Sequence, residues 1–275
     1  MAADSMSMYV IFVAAMAGAG VIAGILAGLL GVGGGIVIVP VLFYLLTLLG
    51  VDPAITMHVA VGTSLATIVV TAISSARSHH ARGAIDTDLL RSLAPWLVVG
   101  TVVGMIFFGS VDSATLTIIF ATVALLVAVY MAWVKERDIA VATALPGTPV
   151  RSGLGMVIGG VSAVMGIGGG TLSVPILSLF RYPIGKAVGT SSAIGLLIAV
   201  PGTIGAVIAG FGHASLPPFS LGFVNLLGFA VLVPLTAAFA PVGARLAHSI
   251  NQQVLRYAFA AFLCITAINM LLVTL

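Results

Sequence analysis

Long apolar segments, separated by short polar or glycine- and proline-containing breaks, occupy most of this 275-residue chain. No charged residue lies between residues 10 and 49 or between residues 187 and 244. A bilayer core takes about 20 helical residues. Seven segments are long enough to cross it as helices: residues 8–30, 57–76, 93–109, 114–134, 187–210, 219–242 and 254–274. The pattern predicts an all-α polytopic membrane protein.

Two glycine runs interrupt the apolar pattern, one in each half of the chain. Their glycines are residues 31, 33, 34 and 35 in the first run and residues 166, 168, 169 and 170 in the second. Because glycine in a helix interior costs about 0.5–1 kcal/mol relative to alanine, each run predicts a helix break. Short helices are expected to begin at about Gly35 and Gly170. The apolar pieces beside the second run, residues 153–165 and 171–181, are each too short to cross, which predicts a hairpin that enters the membrane partway.

Matching motifs relate the two halves of the chain. The glycine runs are 135 positions apart, and so are the prolines that follow them, Pro40 and Pro175. The motif Val-Gly-Thr-Ser occurs at residues 61–64 and again at residues 188–191, 127 positions later. These matches predict an internal duplication, with insertions in the loops where the offset changes.

The distribution of basic residues predicts that the two copies are inverted. All ten Lys and Arg residues lie in the loops at 77–91, 135–151, 181–186 and 245–256, and the loops at 50–56, 110–113 and 212–218 have none. The positive-inside rule places the first set of loops in the cytoplasm and both chain termini outside. We therefore expect inverted repeats at residues 1–134 and 152–275, joined by a cytoplasmic linker at 135–151. Each repeat would be a glycine-broken hairpin followed by three spanning helices, as in many secondary transporters.

Composition agrees with membrane insertion and narrows the class of partner. Apolar residues make up 61% of the chain and charged residues only 6%, so the lipid bilayer is the expected environment and nucleic acid is not an expected partner. The first glycine run lacks the third glycine of a dinucleotide loop, since Ile36 stands there, and no lysine follows as in a P-loop. No cofactor is expected, and the oligomeric state is left open, with a homodimer among the alternatives.

The paired glycine runs closed by proline, the two Val-Gly-Thr-Ser motifs and the late Gly-Ala-Arg-Leu-Ala at residues 243–247 resemble the sulfite exporter family TauE/SafE. The resemblance spans nearly the whole chain. It implies a bacterial inner-membrane protein that exports a small sulfur-containing anion, either sulfite or an organosulfonate such as sulfoacetate.

The spanning segments contain no Lys, Arg, Asp or Glu well inside them. An anion at mid-depth would therefore be held by helix N-termini, whose first N–H groups are unpaired, and by hydroxyls. The candidate binding residues are Gly33, Gly34, Gly35, Gly168, Gly169, Gly170, Thr171 and Ser173. The alternative is that the glycines serve only to let the hairpins pack closely. Four motif hydroxyls, those of Thr63, Ser64, Thr190 and Ser191, are candidates either for helix caps or for lining the path.

His58 is the candidate for coupling protons to transport, because its side chain titrates near neutral pH. The alternative is an interfacial histidine bonded to a loop carbonyl. No His, Cys or carboxylate spacing predicts a metal site. Two further functions compete with a secondary transporter. One is a passive anion channel, and the other is an intramembrane hydrolase using Ser64 and His58, whose spacing of six is not a helical neighbour spacing.

Overall fold

The computed structural model describes residues 13–26, 34–133, 147–247 and 252–274. Ten helices and one short β-hairpin occupy these residues. The helices are α1 Val13–Leu26, α2 Gly35–Leu48, α3 Pro53–Ala81, α4 Thr87–Ser110, α5 Ser113–Trp133, α6 Thr148–Met165, α7 Gly170–Ser178, α8 Ile184–Ala209, α9 Leu226–Ala247 and α10 Gln252–Thr274, and the antiparallel strands are β1 Ser220–Leu221 and β2 Val224–Asn225.

Six of these helices, α3, α4, α5, α8, α9 and α10, are long and apolar enough to cross a membrane. They correspond to the six spanning segments expected after the two hairpins, so the prediction of an all-α polytopic membrane protein is confirmed. The helices α2 and α7 are shorter, with 14 and nine residues. A membrane-spanning helix needs about 20 residues, so neither of them crosses a bilayer alone.

The predicted starts of the short helices are also confirmed. The N-cap residues of α2 and α7 are Gly34 and Gly169, which are 135 positions apart, and both have left-handed φ values of 74° and 67°. A residue with a Cβ is disfavoured at such a φ, which is why glycine stands directly before each helix. The glycines at 31 and 33 lie outside the described residues.

Helices from different halves of the chain pack against each other. Helix α3 packs on α8, α4 on α6, and α5 on α10, and Gly20 and Gly24 of α1 lie against α9. In the contacts between α3 and α8, higher residue numbers in one helix face lower residue numbers in the other, so these two helices are antiparallel. In the contacts between α4 and α6, and between α1 and α9, the residue numbers increase in the same direction along both helices, so those pairs are parallel. Close glycine contacts of this kind are typical of membrane helix interfaces.

Several predicted boundaries are wrong, among them the end of α3 and the starts of α6 and α9. Helix α3 continues to Ala81, through Arg77 and two histidines that were expected in a loop, because basic side chains at a helix end reach the aqueous phase without breaking the helix. Helix α6 begins at Thr148, inside the predicted linker. Residues 219–225 form the β-hairpin and not the start of a span, since Gly222 turns the chain at a φ of 54°.

Candidate functional site

The start of α2, where the first glycine break ends, meets the second glycine break between α3 and α8. A Cβ built on Gly35 would lie 2.6 Å from the carbonyl oxygen of Gly166 and 3.0 Å from the Cα of Ile167. The start of α2 is therefore in direct contact with the break of the other half. Contact this close between two backbones is available only where one of the residues has no side chain.

The serines of the two Val-Gly-Thr-Ser motifs hold this central region together. The hydroxyl of Ser64 in α3 donates to the Gly166 carbonyl oxygen at 2.8 Å. Ser173 of α7 donates to the Gly169 carbonyl oxygen at 2.6 Å and lies 2.8 Å from the hydroxyl oxygen of Ser191 in α8. Since the proton of Ser173 is used at Gly169, Ser191 must be the donor to Ser173. All three buried hydroxyls therefore donate their hydrogen bonds to other groups of the protein.

The threonines of the same motifs each accept a hydrogen bond from a backbone amide of the other half, just before the start of α9 or of α4. The amide of Asn225 donates to the Thr63 hydroxyl oxygen at 2.8 Å, and the amide of Asp86 donates to the Thr190 hydroxyl oxygen at 2.9 Å. Both threonines are fully buried. They cap no helix of their own. We call these two bonds the cross-half tethers, because each joins residues 1–134 to residues 152–275.

The tethered residues are themselves helix caps. Asp86 accepts the amides of Asp88 and Leu89 at the start of α4, and the Asn225 side chain accepts the amide of Gly228 at the start of α9. Sequence reasoning missed both residues. Their separation of 139 positions equals that between Gly104 and Gly243 elsewhere in the halves, and this is the signal that could have found them.

The tether at the end with Arg82, Arg181 and Lys186, which we call the basic end, carries a further contact. The Tyr182 hydroxyl donates to the Asp86 carboxylate. The hydrogen bonds from Leu89 and Tyr182 lower the pKa of Asp86, while burial and then the Asp86 contact raise the pKa of Tyr182. A lowered carboxyl pKa means that the contact is complete above pH about 4 and weakens only as pH falls further. Asp86 therefore stays ionised at neutral pH.

Thr171 differs from the other predicted hydroxyls. Its side chain is 4% exposed, and its Oγ1 has no hydrogen-bond partner in the described part of the chain. Its backbone amide, in the first turn of α7, has no acceptor there either. A buried polar group without a partner costs about 1–3 kcal/mol. Ser162, just before the second glycine run and fully buried, also has a hydroxyl with no partner among the described residues, and sequence reasoning missed it.

The predicted binding glycines are closely packed in this conformation. A Cβ on Gly168 would lie 2.9 Å from Ile68, and one on Gly169 would lie 2.8 Å from Ile198 and 3.0 Å from Ile194. These contacts favour the packing role for both glycines. The binding role stays a prediction, as does that of Gly34, Gly35 and Gly170, and Gly33 lies outside the described residues.

His58 lies at the end of the molecule opposite the basic end. Its Nε2 is 3.1 Å from the carbonyl oxygen of Phe108 and 3.2 Å from that of Val111, where α4 ends. Its ring contacts those of Phe108 and Phe223 with centroids 4.9 and 4.8 Å away. Nδ1 has no partner among the described residues. In the neutral ring Nε2–H donates to the carbonyls, and a second proton on Nδ1 would need an acceptor that only a rearrangement of this end could supply.

If His58 couples protons to transport, His58→Gln is expected to flatten the pH dependence of transport between pH 5.5 and 7.5. The amide of glutamine still donates to the two carbonyls but does not titrate in this range. The measurement is the initial rate in proteoliposomes at each pH. His213→Gln is the control, because His213 faces the same Phe223 ring from an exposed position. An unchanged profile in His58→Gln would exclude His58 as the coupling group.

The structure does not bring Ser64 and His58 together. Ser64 is bonded to Gly166 and His58 to the end of α4, so the pair lacks the contact that a nucleophile and its base require. Within the described ranges, no group of three His, Cys, Asp or Glu side chains is arranged to hold a metal ion.

Comparison with known proteins identifies the family of this chain. The model of the family Sulfite exporter TauE/SafE matches residues 16–270. The chain belongs to the TauE/SafE family.

Its relatives in this family carry transporter names. It is 36% identical to a "Probable membrane transporter protein" of Haemophilus influenzae over 92% of this chain and 96% of that protein. It is 30% identical to YunE of Bacillus subtilis over 85% and 86%, and 26% identical to MJ0441 of Methanocaldococcus jannaschii over 92% and 93%, both also named probable membrane transporter proteins. No solved structure matches the chain. This TauE/SafE chain is thus a multi-pass membrane transporter.

Proposed function

We propose that this TauE/SafE protein is a secondary transporter that exports a small sulfur-containing anion, sulfite or an organosulfonate, by alternating access. The observation that carries the proposal is that, within the described ranges, neither the hydroxyl nor the amide of Thr171 at the start of α7 has a hydrogen-bond partner. A helix N-terminus provides about half a positive charge and free N–H donors. In a protein without charged side chains deep in its spans, these are the groups that an anion would use.

The second glycine break supplies the polar side of the proposed site. Thr171 binds the anion, and Ser173 and Ser191 hold the start of α7 in place rather than contacting the substrate, because their protons are already used. At the positions equivalent to Thr171 and Ser173, the first half has Ile36 and Ile38, both buried and apolar. The anion is therefore bound mainly by one half.

The contacts between the halves support an inverted repeat. The antiparallel α3 and α8, together with the parallel pairs α1–α9 and α4–α6, are the arrangement that a two-fold axis in the membrane plane produces. The two cross-half tethers lie at opposite ends of the molecule, so breaking one while keeping the other would open one side at a time. We place the basic end and residues 135–151 in the cytoplasm and both termini outside, in the bacterial inner membrane.

Uphill transport in proteoliposomes tests this function and separates it from a channel. The purified full-length protein is reconstituted, and sulfite and sulfoacetate are supplied under an imposed pH gradient and membrane potential. We expect the anion to accumulate above the level set by its own electrochemical equilibrium, which protein-free vesicles do not show. A flux that stops at the electrochemical equilibrium of the anion would instead identify a passive channel. No flux of any sulfur anion would refute the proposal.

A further inference from the structure

Ile68 occupies the space between the two glycine breaks. It lies near the middle of the 29-residue helix α3 and is 1% exposed. A Cβ built on Gly35 would be 2.7 Å from its Cδ1, and one built on Gly168 would be 2.9 Å from its Cγ2. One isoleucine side chain therefore touches the start of α2 and the break that leads into α7.

The other half has no side chain at the corresponding position. The offset of 127 that relates the two Val-Gly-Thr-Ser motifs takes Ile68 to Gly195 of α8. A Cβ on Gly195 would lie 2.7 Å from the Gly168 carbonyl oxygen, so backbone replaces a side chain there. The side chain that contacts both breaks therefore comes from α3 and is apolar, and it has no counterpart at residue 195 of α8.

The surroundings of Ile68 are apolar and separate from the main core. With Ala72 and Ala199 it forms a small cluster of its own between α3 and α8, against which Val69 and Leu196 pack. A β-branched side chain in a helix keeps essentially one χ1 rotamer, so Ile68 cannot easily swing aside. An anion held at the start of α7 would bind Thr171 through its charged group, with the rigid apolar side chain of Ile68 nearby.

We propose that Ile68 is the specificity-determining residue that limits the size of the uncharged part of the transported anion. The inference rests on the proposed anion site at the start of α7. In this proposal the anion lies between Thr171 and Ile68, whose side chain contacts Gly168 three residues before Thr171, and each added methylene meets the isoleucine. Shortening the side chain at 68 extends the space by the carbons removed, so longer sulfonates gain and the smallest anion gains nothing.

The test is a binding series on the full-length protein, by calorimetry, with sulfite, methanesulfonate, ethanesulfonate and 1-propanesulfonate. In Ile68→Ala, the ratio of 1-propanesulfonate to methanesulfonate affinity should rise about tenfold over the wild type, the scale of a methylene in a fitted pocket. Ile55→Ala is the matched control, because Ile55 is also buried in α3 but lies near its start at Pro53. It should leave the ratio unchanged.

Each outcome decides between the two proposals. If Ile68→Ala binds the series with the wild-type ratio, the role of Ile68 is refuted while the anion site stands. If the wild type binds no member of the series, the anion site itself is refuted, and the role of Ile68 with it. Should Ile68→Ala fail to fold, Ile68→Val against Ile55→Val removes a single methyl, and a ratio that does not rise roughly twofold or more would refute the inference.

Discussion

Thr171→Val is expected to reduce anion affinity about tenfold or more while raising the stability of the ligand-free protein. Hydrogen bonds to charged groups contribute about 1.5–3 kcal/mol, and about 1.4 kcal/mol corresponds to a factor of ten in the dissociation constant. Valine has the shape of threonine, so packing at this buried position is retained. The gain in stability follows because the substitution removes a buried hydroxyl that has no partner in the described part of the chain.

Calorimetry with sulfite and thermal unfolding of the ligand-free protein in detergent measure the two effects. Thr117→Val is the matched control, because Thr117 is equally buried but its hydroxyl donates to the Ser113 carbonyl oxygen at 2.8 Å, in α5. That variant should keep the wild-type affinity and gain no stability. Equal affinity in the two variants would remove Thr171 from the site, and a loss of stability in Thr171→Val would show that its hydroxyl has a structural partner.

Gly159→Ala is expected to destabilise the protein by roughly 2 kcal/mol or more. A Cβ at this position would overlap with the carbonyl oxygen of Leu97, which belongs to the backbone of α4 and cannot turn away. The helices α4 and α6 would have to separate along an interface that also contains Gly100 and Gly104. Overpacking a filled interior costs about 1–3 kcal/mol, and an interface of glycines leaves little room to relax.

Gly153→Ala is the control for this prediction. It lies in the same helix, but a Cβ there would meet nothing within 4 Å. Alanine should therefore stabilise α6 slightly, by about 0.5–1 kcal/mol, because glycine has the larger entropy in the unfolded chain. Thermal unfolding in detergent should separate the two variants in opposite directions. If they unfold at the same temperature, the close approach of α4 and α6 does not limit stability.

Several features could be predicted because they depend on residues close together in the chain. The starts of α2 and α7 follow from glycine itself, since Gly34 and Gly169 adopt a backbone conformation that other residues avoid. The spanning helices follow from the length of each apolar segment. The boundaries were less predictable, because polar residues such as His79 and His80 extend α3 without interrupting its backbone hydrogen bonds.

The candidate site was predicted only in part. Thr171, Ser173, Ser64 and Ser191 look alike in the sequence, as hydroxyls beside glycines or in a repeated motif. In the structure three of them bind protein groups and one has no partner among the described residues. Ser173 has a local acceptor in Gly169, but the partner of Ser64 lies in the other half of the chain and that of Ser191 lies in another helix, so no local pattern separates these hydroxyls from that of Thr171.

The sequence by itself determined the membrane class, the six spanning helices and the positions of the two short helices, because hydropathy, segment length and glycine conformation are local properties. The tertiary structure alone decided which of the predicted hydroxyls has no partner among the described residues and which side chain stands between the glycine breaks. Partners such as Gly166 for Ser64, or Gly35 and Gly168 for Ile68, become neighbours only after the helices have packed. Hydrogen bonds and steric contacts act over a few ångströms, so they are fixed by that packing.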